Sequence, residues 1–391
     1  MLVRELTEDE QLKSLQLSMY AFQYKVPESD VQARLEKMKN HTILGIWDDD
    51  ILAAKLHIIP FAIFMKDAEW KMGGIAGVAT YPEYRRNGYV KTLMIDSLKY
   101  MRNNGQIVSL LHPFNIPFYR KFGWEILSEK KKITINKADL TFLNEQPGFI
   151  RRYSKESHNE EIENVYAQFC SHYTGMLKRE TDWWQTRVYG EDSQLAVYYH
   201  SNHEPKGYIL YEVKESKMEV QELVALDQEA RIGLWNFVCQ HDSMVETVTM
   251  DLAVQDPFPY FLQQPKMKTE LYPYFMARVV NAEECLRKFP FSPENGPLFL
   301  HLEDLHAPWN NGSYLLGKGE IKVFKEKTGG QCAHPPKKGI HLNINSLSAI
   351  LFGYKRPMEL FEMGYLKGSE SEIELFEKIV PTLKSSFFDF F

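Results

Sequence analysis

The chain has 391 residues, 44% of them hydrophobic and 25% charged, which is enough for two or three folded domains. Its formal charge of −6 argues against a general role in binding nucleic-acid phosphates and would suit cationic small molecules. The N-terminus lacks a signal-peptide pattern and no run of about 18 apolar residues occurs, so we expect a cytoplasmic protein without a membrane span. Four cysteines without CxxC spacing favour free, buried thiols: Cys170, Cys239, Cys285 and Cys332.

The first 150 residues predict alternating helices and strands. Apolar residues at three- and four-residue spacing indicate helices, and apolar runs bounded by turn residues indicate strands. The third strand should end at Tyr81-Pro82, because Pro82 has no amide proton to donate to a sheet. In chain order we predict helices at 8–19 and 27–40, a hairpin around 48–50, a strand at 70–80, a helix at 90–102 with Leu93, Ile95, Leu98 and Met101 buried, a strand at 107–111 and a helix at 116–122.

A polar, irregular stretch at 145–155 indicates a domain boundary, after which a second unit repeats the order of the first. Residues 222–239 align loosely with 77–94, but the basic pair is eroded there, which indicates an internal duplication with an eroded second copy. The remaining predicted elements are two strands within 194–213, a strand at 217–226, a helix at 229–240, a strand at 276–280 opening a third segment, a helix around Cys285, strands at 298–302 and 319–324, and helices at 344–352 and 372–379.

The most informative stretch is a basic glycine turn between a predicted strand and a predicted helix, residues 82–90. The start of a helix offers unpaired amide protons and the positive end of the helix dipole, which together bind a pyrophosphate. Gly88 lets the backbone approach the phosphates, and Arg85, Arg86 and Lys91 would add charge-assisted contacts. The alternative is a solvated basic turn before a surface helix.

A second stretch follows the strand predicted at 107–111, where Tyr119 precedes a basic pair, Phe122 and Gly123. A phenol with a pKa near 10 can protonate a thiolate with a pKa near 8.5 when the two are held together. The alternative is that Tyr119 only packs its ring under the sheet. His112, directly after the same strand, is expected to be structural.

These motifs and the element order resemble the GCN5-related N-acetyltransferase (GNAT) fold, and two such units followed by a third domain resemble the Eis (enhanced intracellular survival) family. The fold's signature, Arg/Gln-x-x-Gly-x-Gly/Ala, reads Arg85-x-x-Gly88-x-Val90 here. The resemblance implies an α+β protein with tandem GNAT-like α/β domains at 1–148 and 149–276, the second degenerate, and a sterol-carrier-protein-like α+β domain at 277–391. It also implies acetyl-coenzyme A as co-substrate, a primary amine of an aminoglycoside or protein lysine as acceptor, and a homo-hexamer. No metal is expected, because His172 and the pair His200 and His203 lack a third ligand at useful spacing.

Carried over position by position, the resemblance implies roles for individual residues. Val78, Ala79 and Thr80 would pair with the pantetheine arm. The residues that would hold the pyrophosphate are Arg85, Arg86, Asn87, Gly88, Tyr89, Val90 and Lys91. Phe114 and Asn115 would flank the coenzyme, and Tyr119 would be the general acid.

The family's general base is the free carboxylate of the last residue, which here is Phe391. The chain ends in an aromatic cluster, Phe387, Phe388 and Phe390, and burying each such ring contributes about 2 kcal/mol, so the terminus should be anchored in a pocket. A terminal carboxyl with an ordinary pKa of about 3.5 is a weak base unless desolvation raises that pKa. Asp389 stands one step further from the end than the acidic residue of some family members. The alternative is that the last aromatics only pack on the third domain.

Two other classes of function remain open from the sequence. The third domain could make the chain a lipid-binding protein with an inactive GNAT unit, or the acetyl-coenzyme A site could be regulatory in an interaction scaffold. The intact turn from Arg85 to Gly88 and the presence of Tyr119 favour an active enzyme, because erosion is visible only in the second copy.

Overall fold

The computed structural model describes residues 2–292, 296–317, 320–325 and 338–391; Cys332 and Gly319, the start of one predicted strand, lie outside these residues. The helices are α1 (Gln11–Ala21), α2 (Glu28–Met38), α3 (Tyr89–Asn103), α4 (Ile116–Arg120), α5 (Glu160–Cys170), α6 (Thr181–Trp183), α7 (Gln228–Cys239), α8 (Phe258–Phe261), α9 (Ala282–Lys288), α10 (Ile344–Leu351), α11 (Pro357–Glu362) and α12 (Glu370–Ile379). The strands are β1 (Val3–Glu5), β2 (Thr42–Asp48), β3 (Ile51–Met65), β4 (Ala68–Thr80), β5 (Val108–Leu111), β6 (Glu125–Asn136), β7 (Phe149–Tyr153), β8 (Thr174–Leu177), β9 (Gln194–Tyr199), β10 (Pro205–Lys214), β11 (Lys217–Ala225), β12 (Thr247–Leu252), β13 (Lys268–Val279), β14 (Leu298–Glu303), β15 (Gly312–Leu316), β16 (Ile321–Phe324) and β17 (Ile340–Asn343).

The elements predicted for the first 150 residues are confirmed to within a few residues. In α3, Leu93, Leu98 and Met101 are buried as predicted, but Ile95 is only half-buried and Met94 is buried in its place. The reason is the helical spacing of about 100° per residue, which places Met94 between Leu93 and Leu98 on the buried face and Ile95 beyond the edge of that face. The predicted free thiols Cys170, Cys239 and Cys285 are unpaired and buried.

The first two units share one large sheet in the described part of the chain, with the strand order β1-β2-β3-β4-β5-β13-β6-β12-β11-β10-β9-β7, and β8 pairs with β3. β13, at the end of the second unit, lies between β5 and β6 of the first and is antiparallel to both. The apolar strand predicted at 276–280 to open the third segment is therefore the end of β13. Its apolar pattern predicts burial correctly, but pairing partners depend on the whole sheet.

Strands β4 and β5 diverge, and this divergence positions the site. They are parallel and share three register pairs, the last of which joins Gly74 to Leu110. β4 continues for six residues beyond that pair, to Thr80. In the described chain these residues pair with β3 alone. Beyond this pair the edge of β4 is left unpaired by β5; we call this opening the splay and the pair of Gly74 and Leu110 its vertex.

The third domain has a second sheet, with the order β16-β15-β14-β17. Its interior is filled by side chains no more than 2% exposed, including Leu300, Tyr314 and Phe376. This core is continuous with buried residues of β4 and β5, such as Met72 and Val108. The third domain is therefore fixed against the first unit.

The last residues of the chain leave the third domain and run along β8. Thr174 donates its amide proton to the Lys384 carbonyl (2.8 Å) and accepts one from Ser386 (3.1 Å). Because β8 pairs with β3, this tail passes between the first and second units. The C-terminus is thereby brought to the sheet of the first unit.

Candidate active site

The glycine turn presents free amide groups at the start of a long helix. Gly88 is the N-cap of the 15-residue α3, with φ at 77°, and no side chain caps that helix end. A Cβ atom at Gly88 would meet nothing within 4 Å, so the space above the turn is open. Arg85, Arg86 and Asn87 are exposed beside it. This arrangement has the geometry and charge of an anion site.

Two contacts fix the shape of this turn. The Tyr84 hydroxyl donates to the Asp48 carboxylate (2.9 Å), and the Tyr84 ring stacks on that of Tyr89 with centroids 6.2 Å apart. Arg86 also has a positive φ of 68°, which is uncommon for a residue with a side chain. The turn is therefore held in a defined conformation by contacts on both sides.

Tyr119 lies on α4 directly after β5 and is only 3% exposed. The Asn115 side chain accepts a hydrogen bond from the Phe118 amide (2.8 Å), so Asn115 caps α4. The rings of Phe114 and Phe118 pack edge-on against Tyr119, at 5.4 and 5.1 Å. Burial raises the pKa of the Tyr119 phenol above its ordinary value near 10, so this group stays protonated at neutral pH. Phe114 is 72% exposed, on the outer side of the same cluster.

The ring of Phe391 lies at the vertex of the splay. It packs against Phe61 on β3 and Phe275 on β13, with centroids 4.9 and 5.1 Å apart. A Cβ atom on Gly74 would lie 2.7 Å from its Cε2 atom. The chain end is therefore in contact with the point where β4 and β5 begin to diverge.

Tyr119 and Phe391 lie on opposite faces of the sheet. Phe391 packs against the cluster that contains Phe275, whereas Tyr119 belongs to the cluster that contains Met276. Successive residues of a strand point to opposite faces, and the same holds for Leu110 and Leu111 on β5. The two predicted catalytic groups therefore flank the splay from its two sides.

Asp389 lies in a buried ionic contact, not in the surroundings expected of a residue that binds an amine substrate. It is 6% exposed, accepts from Arg179 Nε (2.9 Å) and from Trp183 Nε1 (2.7 Å), and its backbone carbonyl accepts from the Tyr274 hydroxyl (2.9 Å). Of the other predicted anchors, Phe387 is buried and Phe388 is half-buried, but Phe390 is 61% exposed. The terminus is thus held by an ionic contact as well as by its aromatic rings.

A buried polar cluster adjoins the bulge of β4 at Gly77, which has φ at 54°. Lys55 Nζ lies 2.7 Å from Ser18 Oγ and 2.8 Å from His57 Nε2, and His57 Nδ1 lies 3.1 Å from His41 Nδ1. Burial lowers the pKa of Lys55 to about 7. The sequence signal for this cluster is the spacing of Lys55 and His57. They stand two residues apart in an apolar run, which places both side chains on one face of β3.

His112 packs among aromatic rings, as its structural interpretation requires: Phe390 at 5.0 Å, Tyr274 at 5.4 Å and Phe275 at 5.6 Å. In the residues that the structure describes, no three His, Cys, Asp or Glu side chains are grouped as metal ligands. Within the same residues, no helix has the length and apolarity to cross a membrane.

Comparison with known proteins agrees with this geometry. Residues 2–127 and 175–279 each match a sequence profile of a GNAT acetyltransferase domain, and 282–388 match a sterol carrier protein domain. The N-acetyltransferase Eis of Mycobacterium tuberculosis is 24% identical over 317 residues, which cover 77% of this chain and 75% of that protein. A probable N-acyltransferase structure from Enterococcus faecalis is 26% identical, with a TM-score of 0.90 over 100% of this chain and 99% of that one. Eis1 from Mycobacterium abscessus shares the fold, with 17% identity and a TM-score of 0.83 over both whole chains.

The chain belongs to the Eis-like GNAT N-acetyltransferases. The predicted fold class, tandem GNAT units followed by a sterol-carrier-like domain, is confirmed. As an Eis-like GNAT protein, it is an acyl-coenzyme A-dependent N-acetyltransferase, and its fold implies acetyl-coenzyme A as co-substrate. The predicted domain boundaries remain predictions, and the one after residue 276 falls within β13.

Proposed function

We propose that this enzyme transfers the acetyl group of acetyl-coenzyme A to a primary amine, with Tyr119 as general acid and the Phe391 carboxylate as general base. The observation that carries the proposal is the contact of the terminal residue with Gly74 at the vertex of the splay. A terminal residue in contact with this point can bring its carboxylate to the splay, and a carboxylate is a base that can take the proton of an ammonium acceptor.

In this proposal the coenzyme lies along the edge of β4 and enters the splay. Val78, Ala79 and Thr80 offer backbone groups to the pantetheine arm on the edge that β5 leaves free. The α3 amides from Asn87 to Lys91 receive the pyrophosphate, supported by Arg85 and Arg86. Phe114 and Asn115 border the coenzyme where α4 begins.

The positions of the two catalytic groups then divide the proton transfers between the faces of the sheet. On the face of Phe391, the terminal carboxylate accepts a proton from the ammonium, and the amine nitrogen attacks the thioester carbonyl carbon. On the face of Tyr119, the phenol gives its proton to the sulfur as the carbon–sulfur bond breaks. The nitrogen loses a second proton to solvent as it becomes an amide, the phenolate regains one from solvent, and the carboxylate releases the proton it took. The products are the N-acetyl amine, coenzyme A and one proton.

The resemblance to Eis proteins leads us to propose an amine of an aminoglycoside or of a protein lysine as the acceptor, and a net charge of −6 suits a cationic substrate. The test is a thiol-release assay with acetyl-coenzyme A and a panel of aminoglycosides, polyamines and lysine peptides, with the product confirmed by mass spectrometry. Acceptor-dependent release that disappears in Gly88→Asp supports the proposal. Release no faster than without enzyme for every amine would contradict it.

The resemblance also extends the proposal to a cytoplasmic homo-hexamer with no nucleic-acid partner and domains divided after residues 148 and 276. Analytical ultracentrifugation of the native protein tests the assembly. A sedimentation coefficient of a monomer at micromolar concentration would contradict a hexamer.

A further inference from the structure

Arg179, two residues after the end of β8 in the second unit, is an interior guanidinium paired with two carboxylates. Its side chain is 1% exposed and bonds to Glu222 through Nη1 (3.1 Å) and Nη2, and to Asp389 through Nε (2.9 Å). Asp389 and Glu222 belong to the C-terminal tail and to β11. We call these three residues the clamp.

Neutral donors add to the clamp, each bonding to a carboxylate oxygen that also accepts from Arg179. The Tyr208 hydroxyl donates to Glu222 (2.8 Å), and the Trp183 indole donates to Asp389 (2.7 Å). A buried carboxylate is costly unless it is paired and hydrogen-bonded, and Asp389 has both the Arg179 contact and the Trp183 donor. The tail carboxylate is therefore held in place by this cluster.

The clamp is physically continuous with the candidate site. Trp183, which donates to Asp389, packs edge-on against Phe61 at 5.1 Å, and Phe61 packs against Phe391. Two residues separate the clamp from the chain end, a reach of about 7 Å at full extension. Fixing the Asp389 carboxylate therefore restricts where the Phe391 carboxylate can lie.

The second unit has no comparable anion site at its own helix start. The side chain of Asp227 caps α7 by accepting from the Ala230 amide (2.8 Å), so a carboxylate occupies the place that Gly88 leaves open in the first unit. A pyrophosphate there would meet a negative charge. The second unit must be retained for another purpose.

We propose that Arg179 is a positioning residue, by which the second unit holds the terminal carboxylate at the splay of the first. The proposal rests on the function proposed above for Phe391. It assigns a role to the degenerate unit: Arg179, Glu222 and Trp183 fix the tail, and the first unit performs the chemistry.

The experiment uses the full-length native protein and three variants. Asp389→Asn removes the negative charge of Asp389 while Arg179 stays paired with Glu222. Arg179→Met removes the guanidinium. Lys178→Met is the matched control, because the adjacent Lys178 forms an exposed ion pair with Glu69 (2.9 Å). Release of C-terminal phenylalanine by a carboxypeptidase reports tail position, and separate assays on untreated protein give kcat and the acetyl-coenzyme A Kd.

We expect Asp389→Asn to lose its terminal phenylalanine at least 10-fold faster than native protein and kcat to fall about 10²-fold, with the coenzyme Kd unchanged. A second arm removes Phe391 first, after which Asp389→Asn should cause no further fall in kcat. If Arg179→Met fails to fold, Asp389→Asn alone decides.

Two results would overturn the proposal. If phenylalanine release and kcat in Asp389→Asn both match Lys178→Met, the clamp does not position the tail. If Asp389→Asn loses its C-terminal phenylalanine faster but keeps the native kcat, the terminal carboxylate is not the base. Such an enzyme would still transfer acetyl groups, so this result would not contradict the proposed reaction.

Discussion

Gly74 offers a direct way to displace the chain end by a small, defined distance. In Gly74→Ala the new methyl carbon would lie 2.7 Å from Cε2 and 3.0 Å from Cζ of Phe391, and 2.9 Å from Cε2 of Phe61. Carbon atoms in van der Waals contact are separated by about 3.5–4.0 Å, so the Phe391 ring must move by about 1 Å. Misplacing a catalytic group by this distance can cost about 10²-fold in rate. We therefore expect kcat to fall about 10²-fold with the acetyl-coenzyme A Kd unchanged.

The assay is thiol release at saturating concentrations of both substrates, beside a thermal unfolding scan. Overpacking of this kind costs about 1–3 kcal/mol, so a matched loss of stability is needed as a control. Gly73→Ala supplies it, because its methyl group would meet Met101 on the opposite face of β4. That variant should lose stability but keep kcat. Combining Gly74→Ala with Phe391→Leu, which keeps the terminal carboxylate, should recover activity. A Gly74→Ala enzyme with native kcat would show that the position of the chain end at Gly74 does not control the rate.

The remaining predictions concern the coenzyme, the acid and the buried lysine. Gly88→Asp should abolish and Arg86→Ala should weaken acetyl-coenzyme A binding in calorimetric titrations; native affinity in both would contradict the pyrophosphate site. Tyr119→Phe should lower kcat about 10²-fold without changing the coenzyme Kd. Because burial raises the pKa of the Tyr119 phenol, the kcat of the native enzyme should not fall through loss of this proton below about pH 10. An unchanged kcat in Tyr119→Phe would show that the residue only packs against its neighbours. In the folded protein the pKa of Lys55 is lowered to about 7, so between about pH 7 and 10 the unfolded state binds more protons than the folded state. The free energy of unfolding should therefore rise by about 1.4 kcal/mol per pH unit in this range, and fall as the pH drops to 7. Lys55→Met should remove that rise in denaturant titrations and be the more stable protein at pH 7; a slope kept in the variant would contradict the assignment.

The parts of the site predicted from sequence are those determined by local patterns. The glycine turn can be predicted because its strand, Gly88 and its helix are consecutive in the chain. Tyr119 can be predicted because α4 follows β5 directly. The aromatic terminus predicted an anchored end, and its ring contacts Gly74. Each of these predictions depends on residues close together in the chain.

The clamp could not be predicted in this way. Arg179, Glu222 and Asp389 are separated by 43 and 167 residues, and each alone reads as an ordinary surface charge. Their pairing follows from the path of the tail along β8, which depends on the packing of the third domain. The position of β13 between β5 and β6 has the same cause, since an apolar strand does not specify its neighbours.

Blocking the free carboxylate of Phe391 is the strongest test of whether that group is the base. A few residues added after Phe391 convert the carboxylate into a peptide bond, and the same residues added before Met1 are the matched control. We expect kcat to collapse in the C-terminally extended protein alone. Acetyl-coenzyme A should bind both proteins with native affinity, because the turn at Gly88 is untouched. Turnover of a true amine substrate at the native rate by the C-terminally extended protein would contradict this expectation.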